Sequence, residues 1–182
     1  QAKRACLVEL RHVHSWINAT CTTPKTCSSC GATEGEALDH SYGSVIYNLE
    51  CHEVACTVCG EVLEGVHTFE NGECSECGMS DSLTLAQFNE YGRTFASNKY
   101  STLKYRISGR IVHVDESKSI FYIRDEEGEV VSVAGIEYFD GNVTRVELTK
   151  EIVVGNTITV VAKCGNNSGL PRGTKANLVT FT

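Results

Sequence analysis

A Cys-x-x-Cys-Gly turn occurs three times: Cys27/Cys30/Gly31, Cys56/Cys59/Gly60 and Cys74/Cys77/Gly78. Ahead of each stands a His, a small hydroxyl residue and an aromatic: His14-Ser15-Trp16, His40-Ser41-Tyr42 and His67-Thr68-Phe69, spaced by 26 and 27 residues. Cys21 and Cys51 precede the first two turns, and the third has no such cysteine. Cys-x-x-Cys presents two thiolates to one ion, and the glycine lets the backbone turn tightly beside the sulfurs. Zinc takes four tetrahedral ligands from thiolate and imidazole, and each segment supplies that chemistry.

The candidate metal ligands are therefore Cys21, Cys27, Cys30, His40, Cys51, Cys56, Cys59, His67, Cys74, Cys77 and His14. Three partitions are open. One closes each set with the His that follows, giving Cys21/Cys27/Cys30/His40 and Cys51/Cys56/Cys59/His67, and it is favoured for the first site. Another uses the leading His, His14 or His40. The third joins Cys56/Cys59 to Cys74/Cys77. Two or three structural zinc ions are expected, since a catalytic zinc keeps an open position and a nearby base. Five disulfides are the competing use of ten cysteines in a secreted chain, but bridges need no recurring His. Trp16, Tyr42 and Phe69 are expected to pack over the sites. His12, His52 and His113 fall outside the pattern, Cys6 reads as an orphan thiol, and Cys164 as a small buried hydrophobe.

These residues are carried on an uneven chain. Of 182 residues, 41% are hydrophobic and 21% charged, enough for a fold. Nine of the ten cysteines lie in residues 1–80, which carry 4 Lys+Arg against 11 Asp+Glu; residues 81–182 carry 12 of each. Two domains follow: repeats over 1–80 (about 12–40, 41–66 and 67–80) and a β domain over 102–182, joined by a linker over 81–101. Cys6 precedes His14 by eight residues, as Cys59 precedes His67, so residues 3–14 read as the tail of an earlier repeat in a longer array. The linker contains a helix with Leu85, Phe88 and Tyr91 on one face, Asp81 or Ser82 as its cap and Gly92 as its stop. No apolar run approaches the ~18 residues of a membrane helix, and no signal peptide is visible. The net charge of −7 argues against tracking a phosphate backbone.

The second half breaks into strands at 104–114, 119–125, 129–134, 157–164 and 176–181, with Gly109 bending the first. Turns are expected at Glu126-Glu127-Gly128 and Phe139-Asp140-Gly141-Asn142, and a loop over 165–175. A long bent strand, a hairpin, an irregular connection and two final strands is the order of an OB-fold, a five-stranded partly open barrel. The fold class is thus mainly β, small zinc-ribbon-like repeats followed by an OB-fold-type barrel. If Phe121 and Ile123 point inward, Tyr122, Arg124, Arg110 and Ser132 are the ligand-binding candidates on the outer face.

Residues 12–79, and most closely the segment from His14 through Cys21, Cys27, Cys30 and Gly31 to His40, resemble a zinc-ribbon-type repeat of large secreted and cell-surface proteins from anaerobic, often gut-dwelling, Gram-positive bacteria. The second half, through Gly109, Asp125–Gly128, Gly155-Asn156 and Ser168–Pro171, is similar to OB-type domains of the same class of proteins. The resemblance implies a secreted or cell-surface location and a multi-domain parent. The function expected is a non-catalytic binding or structural module, its partner an unknown macromolecule or glycan at the cell surface, with self-association through the repeats. No nucleophile elbow, phosphate loop or zinc-protease helix marks an enzyme. The alternatives are a single-stranded nucleic-acid binder and an acyl-CoA-associated accessory subunit.

Overall fold

The computed structural model describes residues 12–139 and 144–181. Cys6, the expected repeat tail before residue 12 and the expected turn at Asp140–Asn142 lie outside the described residues. The described chain is mainly β, with one α-helix. Its strands are β1 (Trp16–Ile17), β2 (Lys25–Cys27), β3 (Thr33–Glu34), β4 (Ile46–Tyr47), β5 (Cys51–Ala55), β6 (Val62–Val66), β7 (Phe69–Glu70) and β8 (Glu73–Cys74) in the first half. After α1 (Leu85–Thr94) come β9 (Tyr100–Asp115), β10 (Ile120–Arg124), β11 (Val130–Ala134), β12 (Ile136–Phe139), β13 (Thr144–Glu147), β14 (Thr157–Asn167) and β15 (Leu170–Phe181).

The chain forms two compact units, and the division does not fall at residue 80. The first runs through Ile46 and includes Glu53–Glu64; the second holds Tyr47–His52 and the chain from Gly65 onward.

The first unit has almost no apolar interior. Its buried residues, among those described, are Cys21, Cys27 and Cys56. Val13, Ile17, Leu38, Ile46, Val58, Val62 and Leu63 are all exposed. Strands β1, β2 and β3 pair antiparallel, with Trp16 opposite Cys27 and Lys25 opposite Glu34. Lys25 bonds Glu34 at 2.9 Å and lies 5.0 Å from the centre of the Trp16 ring. Strands this short cannot hold themselves in water, so something other than hydrophobic burial must fix them.

The second unit is built around an apolar core. Strand β9 pairs with β10 on one side and β14 on the other; β10 pairs with β11 and β14 with β15, all antiparallel. A parallel pairing of β11 with β15, Ser132 opposite Arg172, returns the fifth strand to the third, so the five pair in a ring. The hairpin of β12 and β13 pairs with β15 at Ile136 opposite Ala176. Alternation sends Tyr105, Ile107, Ile111, Phe121, Ile123, Val131, Val133, Ile158, Val160 and Ala162 inward. Gly109 sits where β9 crosses β10 closely: a Cβ there would stand 2.9 Å from the Arg124 carbonyl oxygen.

Helix α1 closes over this core through Leu85, Phe88 and Tyr91. Its cap is Thr84, not Asp81 or Ser82. Thr84 Oγ1 accepts from the Gln87 amide at 3.1 Å, and the Thr84 amide donates to Gln87 Oε1 at 2.9 Å, a capping box. Gly92 does not stop the helix. It is buried inside it, and a Cβ there would come within 2.9 Å of the Gly165 oxygen and the Pro171 ring. Cys164 is the buried hydrophobe expected; its thiol donates to the Phe88 carbonyl at 3.0 Å, and burial pushes its pKa up to about 12.

The expected loop over 165–175 is largely strand. Ser168 and Gly169, both at positive φ (54° and 90°), form the tight turn between β14 and β15. Asp81, expected as a cap, pairs instead with Arg106, whose Nε and Nη2 donate at 3.1 and 3.2 Å.

Candidate metal centres

Three loops share one construction. In each, the first cysteine's amide donates at 2.8 Å to the carbonyl just past the glycine: Cys27 to Ala32, Cys56 to Glu61, Cys74 to Met79. The glycine amide returns to the first cysteine's carbonyl at 2.9 Å in all three. Gly31, Gly60 and Gly78 have φ of 72°, 76° and 73°, a region costly for other residues. The residue after the first cysteine donates its amide to the residue after the histidine: Ser28 to Ser15, Thr57 to Ser41, Ser75 to Thr68. That bond ties each turn to its leading histidine.

The histidines are aimed at the turns. His14, His40 and His67 each place Nδ1 3.4 Å from the second cysteine's Sγ, Cys30, Cys59 and Cys77. The far nitrogen is engaged in two of the three: His40 Nε2 lies 3.1 Å from Glu61, and His67 Nε2 donates to the Asn48 carbonyl at 2.8 Å. A proton held on Nε2 leaves the Nδ1 lone pair facing the sulfurs, the arrangement of a metal-ligating histidine with its outer partner. The recurring aromatic now has a role. Trp16, Tyr42 and Phe69 stack on His14, His40 and His67, with ring centres 4.9, 5.6 and 5.7 Å apart.

A fourth group completes each set. His12 Nε2 lies 3.4 Å from Cys27 Sγ, Cys21 Sγ lies 3.8 Å from Cys56 Sγ, and His52 Nδ1 lies 3.9 Å from Cys74 Sγ. The three sets are therefore His12/His14/Cys27/Cys30, Cys21/His40/Cys56/Cys59 and His52/His67/Cys74/Cys77, with ligand atoms within 4.8 Å of one another in each. The first two lie in the first unit and the third in the second.

These distances suit a metal. Tetrahedral zinc, with bonds of about 2.3 Å to sulfur and 2.0–2.1 Å to nitrogen, sets sulfur–sulfur edges near 3.8 Å and sulfur–nitrogen edges near 3.6 Å. A disulfide needs about 2.05 Å. Each set could hold one ion, in a manner compatible with zinc.

The electrostatics agree. The His12 contact lowers Cys27 to about 5 against the cost of burial, with help from the Ser29 amide. The Cys59 amide, with Val58 and His40, lowers Cys56 to about 5. Burial raises Cys74, but His67 and the Cys77 and Glu76 amides outweigh it and bring it to about 6. Cys21 is driven up to about 12, first by burial and then by its neighbours Cys59 and Cys56. Thiols packed this closely cannot all ionise unless a cation joins them.

The grouping differs from closure by the following histidine. Cys21 is separated from Cys27 and Cys30 and joins Cys56, Cys59 and His40. Cys51 lies outside all three sets; its Sγ accepts from the Asn48 side-chain amide at 3.6 Å. Cys51 and His52 are successive residues of β5, so their side chains leave on opposite faces and only one can reach the site. His12 and His52 were read as bystanders and are members. The signal for His12 was His-x-His in extended chain, which puts residues i and i+2 on one side. The cysteine missing before the third turn is matched by His52.

On the second unit, Phe121 and Ile123 do point inward, so Tyr122, Arg124 and Ser132 face outward. Tyr122 pairs with Ser132 and lies 5.4 Å, ring to ring, from His113; Ser132 Oγ donates to the Pro171 carbonyl at 3.4 Å. Arg110 and Arg124 line a separate cleft of about 800 Å³ that Tyr122 and Ser132 do not reach. No family model matches the chain, and no curated protein or solved structure matches it.

Proposed function

We propose that this chain is a non-catalytic binding or structural module of a secreted or cell-surface protein, its loops held by three structural zinc ions and its second unit an OB-type barrel. The observation that carries the reading is in the first unit: among its described residues, the three that are buried are cysteines of the four-ligand sets. A structural zinc supplies roughly 10–16 kcal/mol of folding free energy in small domains that lack a core. Thiolate with imidazole suits zinc over hard, oxygen-seeking cations. Four protein ligands leave no open position for water, which supports a structural role. The three loops, built alike, support the reading as repeats. The ring order β9, β10, β11, β15, β14, with its parallel β11–β15 pair, supports the OB-type reading.

The test is elemental analysis of chain purified without chelator, with thiol counting on the same sample. Three zinc ions per chain and a first unit that unfolds on chelation are expected. No metal, with the cysteines blocked to thiol reagents, would show a disulfide-stapled module and end the zinc reading.

A further inference from the structure

Arg110 on β9 and Arg124 on β10 are direct cross-strand partners, and both are exposed. Like charges placed opposite one another on a sheet destabilise it. Neither is closed into an ion pair: among the described residues neither guanidinium lies within 4.0 Å of a carboxylate. Arg110 gives its Nε to the Gly155 carbonyl at 3.1 Å, which fixes the side chain and leaves its terminal nitrogens free. Gly155, at φ 103°, lets the chain pass beneath, with Arg110 Nη2 3.7 Å from where a Cβ would stand.

Hydroxyls continue the surface. Thr157 on β14 is the other partner of Arg110, and Ser108 Oγ meets Thr159 Oγ1 at 2.7 Å in the next row. Ser108, Thr157, both arginines, Glu126 and Glu127 line the same cleft. Asp125, also in the lining, is committed to the turn, accepting from the Glu129 amide at 2.8 Å.

We propose that this cleft binds an acidic oligosaccharide, with the sugar's oxyanion between Arg110 and Arg124 and its hydroxyls on Ser108, Thr157, Glu126 and Glu127. Two guanidiniums match a carboxylate or sulfate in geometry and charge. Exposed carboxylates accept from sugar hydroxyls. The same lining opposes a single-stranded nucleic acid: among the described residues no aromatic side chain lines the cleft to stack a base. The cleft lies at the bend of β9, the β10–β11 turn and the start of β14, and its lining does not include Tyr122 or Ser132. The inference deepens the binding role proposed above and rests on it.

The experiment is an NMR titration of the whole metal-loaded chain with a uronic acid tetramer, a sulfated tetramer of the same length, a neutral tetramer and a single-stranded oligonucleotide. Shifts at the Gly155 amide and the Arg110 and Arg124 Nε resonances are expected with one or both acidic sugars, and none with the neutral one. Which acidic sugar binds tells carboxylate from sulfate. Arg124→Gln, at an exposed position that leaves the fold intact, is expected to weaken binding at least tenfold, consistent with loss of one charge-assisted contact. Absence of cleft shifts with both acidic sugars, equal affinity in Arg124→Gln, or tighter binding of the oligonucleotide overturns the proposal. Zinc content read on the same sample separates that failure from a failure of the zinc reading: three ions with no sugar bound rejects the cleft alone.

Discussion

His52→Ala set against Cys51→Ser decides how the third centre is built. The two residues are neighbours on β5, and only His52 faces Cys74, Cys77 and His67. A structural zinc contributes roughly 10–16 kcal/mol through four ligands, so removing one costs about 2.5–4 kcal/mol if they share evenly. At 1.4 kcal/mol per decade that is about 10²–10³-fold in metal affinity. The Cys51 thiol bonds to Asn48 and belongs to none of the three sets, so its replacement by serine should change affinity by less than about threefold, within the scatter of surface substitutions. The assay is competition against a chelator of graded strength, followed by elemental counting. Three ions are expected in the parent chain and in Cys51→Ser, and two in His52→Ala at the chelator strength that first separates them.

Gly65→Ala supplies an independent check without touching a ligand. A Cβ at residue 65 would overlap His52 Nε2 and stand 3.0 Å from its Cε1, so the imidazole must swing away from the site. Loss of the same single ion is expected. If Cys51→Ser loses a metal while His52→Ala retains three, the assignment of His52 is refuted, and with it the argument from strand alternation.

Three further outcomes are expected. Arg106→Ala should destabilise the second unit by about 2–3 kcal/mol in urea unfolding, because it strips two charge-assisted bonds from Asp81, whose side chain is 8% exposed; a change below about 0.5 kcal/mol would show that the pair does not hold the fold. Phe88→Ala should cost about 3–5 kcal/mol, since the ring is fully buried between α1 and the sheet, and a smaller loss would mean that the helix is not seated as described. The Asp115 carboxyl, held down by the Ser117 hydroxyl and then by Lys118, should titrate by NMR near pH 2. Its contribution to stability is then present above the unfolded value of about 3.9 and lost as the pH falls through about 2, and a midpoint near 3.9 would refute the contact.

The two units were legible to different degrees for a physical reason. In the second unit the inward residues alternate along β10 and β11, so hydropathy alone located those strands and the facing of Tyr122 and Arg124. It failed at β15, where Pro171 and Gly173 read as loop while pairing with β14 through Leu170 opposite Asn167 and Cys164 opposite Gly173 decides the conformation. It also failed at Gly92, where close approach to Gly165 and Pro171 matters more than helix propensity. In the first unit hydropathy carries no signal, because its described residues form no apolar core to produce a period. Only ligand chemistry speaks there, and it identifies turns and histidines without saying which cysteine crosses to which turn. Cys21 shows why. It stands six residues before Cys27, yet its sulfur belongs with Cys56 and Cys59. Between Trp16, stacked on one centre's histidine, and Cys27, a ligand of that same centre, the chain thus lends a ligand to the next. The two centres of the first unit are therefore interlocked and not independent beads. Stripping the ion from Cys21, His40, Cys56 and Cys59 frees the segment that positions Cys27, so metal loss from the first unit should proceed as one event and not as two.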